Sequence, residues 1–330
     1  MNLVGKKVLV TGSGGFIGSH LAERLAKLGC RVVALTHYDS RPDKSNLEFL
    51  APETLAELDV RPGDIRDPMF MLEVTKGCQV VFHLAALIGI PYSYLAPSSY
   101  VDTNIKGTMN VLQACLAAGV ERLVHTSTSE CYGTAQYTPI DEAHPLCAQS
   151  PYSATKIGAD KLAESFFLTY GLPVSIIRPF NTFGPRQSAR AIIPTILSQL
   201  LSGAPKLHLG SVDPIRDMNY VENIVDGFLA IAASDGTVGQ LINVGSGTGV
   251  TIGELAGLAM QVVGRDVPVE CDTSRVRPES SEVRALICDN ARARDIAGWS
   301  PAVDLKTGLK KTAAFIEAHP ELYRPQEYAR

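Results

Sequence analysis

A β-branched run, Lys7-Val8-Leu9-Val10-Thr11, leads straight into Gly12-Ser13-Gly14-Gly15-Phe16-Ile17-Gly18 and then into an amphipathic stretch ending near Leu28. No other feature limits the fold as much. Glycines at 12, 15 and 18 permit a tight strand-to-helix turn and a close approach of backbone to a bound group. The N-terminus of the next helix favours anions. In this setting the turn predicts a pyrophosphate site for a dinucleotide, with Gly12, Gly15, Phe16, Ile17 and Gly18 against the cofactor. Its G-x-x-G-x-x-G spacing differs from the G-x-G-x-x-G of most dehydrogenases.

The alternation continues. Arg31 to Leu35, Gln79 to His83, Arg122 to Thr126 and Val174 to Ile177 read as strands. Helical patterns fall between them, notably Ser98 to Ala118 and Tyr152 to Tyr170. Such alternation predicts an α/β fold with a doubly wound parallel sheet of the Rossmann kind, whose ligands lie at the carboxyl ends of the strands. After Pro179 glycine and proline recur and the pattern loosens, apart from a helix at Val221 to Ala233 and a strand at Leu241 to Val244. The expected division is a dinucleotide-binding domain over 1–178 and about 219–244. A smaller mixed α/β domain over about 179–218 and 245–330 would cap the site.

Three segments bear on the cofactor's outer end. Asp64, in Gly63-Asp64-Ile65-Arg66, follows a predicted strand; it suits an adenine amino group or, equally, a turn or helix cap. Ile65 lies beside it. Leu84, Ala85 and Ala86 end another strand, where small side chains would let a cofactor lie against backbone; His83, just before them, reads as a core histidine. After the second strand Asp39 favours NAD through the ribose diol, whereas Arg41 favours NADP. NAD is the expected cofactor, with NADP left open.

Chemistry concentrates around two tyrosine-containing stretches, Ser127 to Gly133 and Pro151 to Lys156. Tyr152 and Lys156 share a helix face. An ammonium beside a phenol is expected to lower the phenol's pKa and make a base. Thr128, Ser129 and Glu130 add hydroxyls and a carboxylate, and the carboxylate points to chemistry beyond hydride transfer. Cys131, nearby, reads as a packed thiol. Histidine spacing supports no metal site.

The net charge of -4 gives no reason to expect a nucleic acid or an anionic membrane as partner. No apolar run is long enough to span a bilayer, the N-terminus leads directly into a strand without room for a signal peptide, and seven scattered cysteines suit reduced thiols. A cytoplasmic protein is expected. Val101, Ile105, Met109 and Leu112 recur at helical spacing and read as a core face.

Together with Asn104-Ile105-Lys106-Gly107-Thr108, Arg178-Pro179-Phe180-Asn181 through Arg186, Arg216-Asp217-Met218-Asn219-Tyr220-Val221 and Arg277-Pro278-Glu279, these motifs resemble the extended short-chain dehydrogenase/reductase family, over nearly the whole chain. Within it the chain looks most like the NDP-sugar 4,6-dehydratases. Ile90 to Tyr94, Tyr100 to Asn104 and Gln187 to Ala191 are similar to the legionaminic-acid-pathway type, which acts on a nucleotide-linked N-acetylglucosamine. The segment Tyr38 to Ser45 departs from the aromatic, Asn/Ser-rich stretch of those relatives.

The resemblance implies an internal redox dehydration: Tyr152 and Lys156 with Thr128 oxidise C4, and Glu130 acts at C5, with Ser129 orienting. Many relatives carry Thr-Asp-Glu here; Thr128-Ser129-Glu130 is similar to the GDP-mannose dehydratase branch. Asn181, Arg186, Arg216 and Arg277 are the expected contacts for a nucleotide sugar, guanidinium forks suiting a diphosphate. A homodimer is implied as well. The alternatives are UDP-glucuronate decarboxylation, 4-epimerisation, which has no need of Glu130, and, more remotely, a non-catalytic cofactor-sensing protein.

Overall fold

The structure is a computed structural model that describes residues 1–39, 45–273 and 283–323. The first six strands are β1 (Lys7–Thr11), β2 (Arg31–His37), β3 (Asp59–Gly63), β4 (Val80–His83), β5 (Arg122–Thr126) and β6 (Val174–Pro179). Eight more, of two to four residues, come after them: β7 (Thr182–Phe183), β8 (Leu207–Leu209), β9 (Ile215–Asp217), β10 (Asn219–Tyr220), β11 (Leu241–Val244), β12 (Gly249–Thr251), β13 (Val269–Cys271) and β14 (Ala285–Leu286).

A seven-stranded sheet in the order β11-β6-β5-β4-β1-β2-β3 forms the centre. Every pairing in it is parallel. Its strands are covered on both faces, as the near-continuous apolar runs require. Val8 and Val10 of β1 point to one side, against Leu21 and Leu25 of the helix Phe16–Lys27 and Ile224 and Phe228 of the helix Val221–Ala233. Leu9 and Val33 point to the other, against Val111, Leu112 and Cys115 of the helix Gly107–Ala118 and Ala163 of the helix Pro151–Tyr170. Two cores thus sandwich one sheet and hold its carboxyl edge in a fixed geometry.

Beyond that edge lie small sheets, β12-β9-β14, β13-β8 and β10-β7. Asp217 ties the first of these to the chain after β11. Its carboxylate, fully buried, accepts hydrogen bonds from the backbone of Ser246, Gly247 and Cys288 at 3.1, 2.9 and 3.2 Å.

One expectation is corrected here. Of the four apolar positions read as a core face, only Leu112 is fully buried; Val101 and Met109 are exposed and Ile105 is intermediate. For Val101 and Ile105 the reason is a wide π-helical turn, Val101–Lys106, between the short helix Pro97–Tyr100 and Gly107–Ala118. The extra residue in that turn rotates Pro97–Tyr100 about the helix axis relative to Gly107–Ala118. Ile105 therefore meets Gly158 on the neighbouring helix, and Asn104 turns inward, bonding Leu87 at both its N–H and its C=O and Thr155 Oγ1.

Candidate active site

The glycine turn is built as a cradle. Gly12 has φ +74°, and a Cβ there would lie 2.8 Å from the Ala85 nitrogen. A Cβ on Gly18 would lie 2.2 Å from the Gly12 carbonyl oxygen. Thr11 Oγ1 accepts from the N–H groups of both Leu84 and Ala85, at 3.1 Å each, which joins the ends of β1 and β4. Gly15 caps the helix Phe16–Lys27 without a side-chain hydrogen bond, so the first-turn N–H groups of Phe16, Ile17 and Gly18 point out of the turn with no capping acceptor. That donor set fits a dinucleotide's pyrophosphate.

The outer end is more ambiguous. Both oxygens of Asp64 engage the Arg66 guanidinium, and Oδ1 also accepts from the Arg66 backbone, which holds the carboxyl below its usual range. This is the turn role foreseen as the alternative to adenine recognition. The Ile65 side chain is core, against Gly107. Asp39 is exposed just past β2, and Arg41 lies outside the described residues. His83 is fully enclosed between Thr11 and Thr108 hydroxyls at 2.8 and 3.0 Å. Burial drives its pKa well down, as befits a core histidine.

Tyr152 and Lys156 sit one helical turn apart on Pro151–Tyr170, which begins with a Ser150–Ser153 capping box. Their coupling differs from expectation. The Lys156 ammonium donates to the Thr126 carbonyl at 2.6 Å. The Tyr152 phenol is pushed up by burial, with a hydrogen bond to Thr128 as the chief opposing influence and the Glu130 charge adding to the rise. Burial outweighs the Thr128 hydrogen bond, so the chain's own groups favour the neutral phenol. Burial likewise lowers the Lys156 pKa, resisted first by Asp160.

Asp160 belongs to a network that sequence reading missed. It accepts from Arg178 Nη2 at 2.7 Å and from Ser127 Oγ, and it lies 3.2 Å from His125 Nε2. Both members of the Asp160–Arg178 pair are 1% exposed. Arg178 also lies over the Tyr132 ring, 4.5 Å from its centroid. A carboxylate four residues beyond Lys156, on the same helix face, was the available signal. Cys131 is packed beneath, its thiol pushed up to about 12 by burial.

Thr128 starts the tight turn Ser129–Tyr132 by accepting from the Glu130 N–H at 3.3 Å; Ser129 is buried within it. Glu130 lines a cleft of about 290 Å³ together with Asn181, Gln187, Arg190 and Arg216. Arg216 is 7% exposed and donates to the Ile215 carbonyl at 3.0 Å. Arg190 and Gln187 were not foreseen as site residues. Arg186 is placed elsewhere than expected: it does not line the cleft, and its Nη2 bonds Glu23 on the first helix at 2.7 Å. Arg277 lies outside the described residues. Among the described residues no cluster of His, Cys, Asp or Glu could hold a metal, and no helix is long and apolar enough to cross a membrane.

A parallel sheet whose carboxyl edge carries a glycine cradle and a tyrosine–lysine helix defines an extended short-chain dehydrogenase/reductase. The chain belongs to the family described as GDP-mannose 4,6 dehydratase, which it matches over residues 9–312. It is 33% identical to a dTDP-glucose 4,6-dehydratase of Streptomyces griseus, covering 96% of both chains. It is 34% identical to a UDP-glucose 4-epimerase of Mycolicibacterium smegmatis, covering 94% of this chain and 98% of that one. Among solved structures, a dTDP-glucose 4,6-dehydratase from Streptomyces venezuelae with NAD bound superposes with a TM-score of 0.84 at 29% identity, covering 97% of this chain and all of the other. This is an enzyme of the nucleotide-sugar dehydratase and epimerase class.

Proposed function

We propose that the chain is an NAD-dependent 4,6-dehydratase that converts a nucleotide-linked hexose to its 4-keto-6-deoxy form. The observation that carries this reading is the placement of Glu130: it lines the cleft with Asn181 and Arg216, and its charge is felt by Tyr152. A 4-epimerase needs the tyrosine but no carboxylate beside it.

The glycine cradle would hold the cofactor's pyrophosphate, with Leu84 to Ala86 against its inner half. NAD held there would supply the hydride acceptor for C4 and the hydride donor for C6, and its positive ring would favour the ionised form of Tyr152. Tyr152 takes the proton of the C4 hydroxyl, while Thr128 hydrogen-bonds the same oxygen. Lys156, anchored on Thr126, supplies positive charge behind the phenol. The new C4 ketone acidifies C5–H, and Glu130 removes that proton. The C6 hydroxyl then leaves with the proton Glu130 has taken, as water. C5 of the resulting enone is reprotonated from solvent-exchanged groups. General acid and base steps of this kind contribute about 10²–10⁴-fold each. Arg216, and Arg190 at the rim, supply positive charge for the diphosphate.

The test monitors absorbance of reduced nicotinamide with dTDP-glucose and UDP-glucose as substrates. Tyr152→Phe should show neither reduced cofactor nor product. Glu130→Gln should still oxidise C4, accumulate reduced cofactor and make no 6-deoxy sugar. A Glu130→Gln enzyme that dehydrates at near wild-type rate would overturn the assignment. The similarity to 4-epimerases supports a second reading, for which Glu130→Gln would leave epimer formation intact.

A further inference from the structure

The backbone that follows β4 is clamped at two points, both by side chains. Thr11 Oγ1 accepts from the N–H groups of Leu84 and Ala85 at 3.1 Å each. Asn104 accepts from the Leu87 N–H at 2.8 Å and donates to the Leu87 carbonyl at 3.0 Å. Between the clamps runs Leu84 to Ala86, against which the cofactor's inner half would lie. Asn104 also donates to Thr155 Oγ1 at 3.0 Å, and Thr155 donates to the Tyr152 carbonyl at 2.8 Å. The second clamp is thus attached to the helix of the proposed base.

One side chain joins the two clamps. His83, the last residue of β4, has Nδ1 at 2.8 Å from Thr11 Oγ1 and Nε2 at 3.0 Å from Thr108 Oγ1. The direction of these bonds follows from the partners. The Thr108 hydroxyl lies 2.6 Å from the Asn104 carbonyl, which can only accept, so the hydroxyl donates there. Its one proton is then used. It must accept from His83, and Nε2 carries the hydrogen. Burial keeps the ring neutral, which leaves Nδ1 as an acceptor. Thr11, whose oxygen accepts from two N–H groups, donates to it. A single directed chain therefore runs from Thr11 through His83, Thr108, Asn104 and Thr155 to the Tyr152 carbonyl. Its five side chains are at most 3% exposed. Breaking one link leaves buried polar groups unpaired.

We propose that His83 is a positioning residue: it ties the cofactor-facing end of β4 to the helix that carries Tyr152, and so holds cofactor and base in register. Backbone pairing fixes β4 against β1 and β5. The imidazole adds the link from that strand end to the helix Gly107–Ala118 and the π-helical turn before it. A histidine that merely filled space would need no particular tautomer, and its loss would not reach the cofactor. This inference rests on the dinucleotide reading of the glycine turn and on Tyr152 as the base.

The test uses the full chain. In nitrogen-labelled histidine NMR, the ring signals lost in His83→Phe should be those of a neutral Nε2–H tautomer; an Nδ1–H ring would reverse the chain and overturn the proposal. Calorimetric titration with NAD reads the coupling. Thr108→Val keeps the shape and removes the hydroxyl. It should weaken NAD about three- to tenfold, the usual effect of one neutral hydrogen bond. Thr108→Ser keeps the hydroxyl and should bind like wild type. His83→Phe should weaken NAD to the same degree, and the His83→Phe/Thr108→Val double variant should lose no more than the single ones. Additive losses, or wild-type affinity in Thr108→Val, would leave His83 a packing role alone. The thermal midpoint monitors folding, and the Thr108 pair serves if His83→Phe folds poorly. With dTDP-glucose or UDP-glucose and saturating NAD, single-turnover formation of reduced nicotinamide should also slow in Thr108→Val and recover in Thr108→Ser; an unchanged rate would overturn the register between cofactor and base. A wild type that binds NAD but oxidises neither sugar refutes the nucleotide-sugar reading, while the NMR and NAD titrations still decide the role of His83. A chain that binds no NAD refutes the dinucleotide reading and this inference with it.

Discussion

Tyr152 lies within electrostatic reach of Glu130, and a buried salt bridge, Asp160–Arg178, underlies this part of the structure. Asp160 and Arg178 have lost nearly all contact with water, and each depends on the other to offset its desolvation. Asp160→Asn leaves the Arg178 charge without its counter-ion. It should cost about 3–5 kcal/mol of stability, read as a lower urea midpoint at an unchanged slope. The carboxyl is held far below its usual range, by hydrogen bonding from His125 and the Arg178 charge against the cost of burial. Its stabilisation is thus present above the ordinary carboxylate pKa and lost only as pH falls toward the folded value. The residues proposed to do the chemistry, Thr128, Glu130, Tyr152 and Lys156, were named from the sequence and gather at one edge of the sheet. The Lys156–Tyr152 coupling was not readable. Helical spacing says that two side chains share a face, but burial decides which way a pKa moves.

The first helix serves two partners, the glycine turn at its start and the Pro185–Arg186 turn along its side. Gly18→Ala would push a methyl group into the Gly12 carbonyl. Overpacking of this kind costs about 1–3 kcal/mol, so both the thermal midpoint and NAD affinity should fall in a titration monitored by tryptophan or nicotinamide fluorescence. His20 makes the seam sensitive to acid. Burial, and then the Arg186 charge, lower its pKa to about 4, with Pro185, Glu23 and Glu222 opposing. The folded state therefore favours neutral His20. Its contribution is complete above the unfolded value near 6.5 and is lost as pH falls from there toward 4. His20→Gln, which can still donate to Pro185, should make urea stability fall less steeply across that window. A slope equal to wild type would mean that His20 is not the titrating group. Most elements matched the periodicity of their sequence closely, Val221–Ala233 and Leu241–Val244 to the residue. The π-helical turn did not. It takes Val101 off the face that Leu112 buries, because a single-period template cannot register one extra residue.

At the scale of the molecule, seven parallel strands and two flanking cores bring to one edge side chains from β5, the Pro151–Tyr170 helix and the loops beyond β6. The sheet itself was legible because strand–helix alternation leaves few other topologies. Cleft residues after Pro179 were legible only in part. Arg216 lines the cleft, but Arg186 bonds to Glu23, and Arg190 and Gln187 line the cleft in its place. Charge type alone does not say which of several arginines in a loosely patterned segment lines a cleft; here Arg186, in a left-handed turn, bonds Glu23 instead.

Water elimination and simple inversion at C4 leave different masses and different isotope labels, so isotope-resolved mass spectrometry separates them. The enzyme is incubated with NAD and dTDP-glucose or UDP-glucose in heavy water. Dehydration gives a product lighter than substrate by one water and carrying one deuterium, at C5. An isomer of unchanged mass with no deuterium at C5, formed at comparable rate, would rule out the dehydratase reading and identify an epimerase.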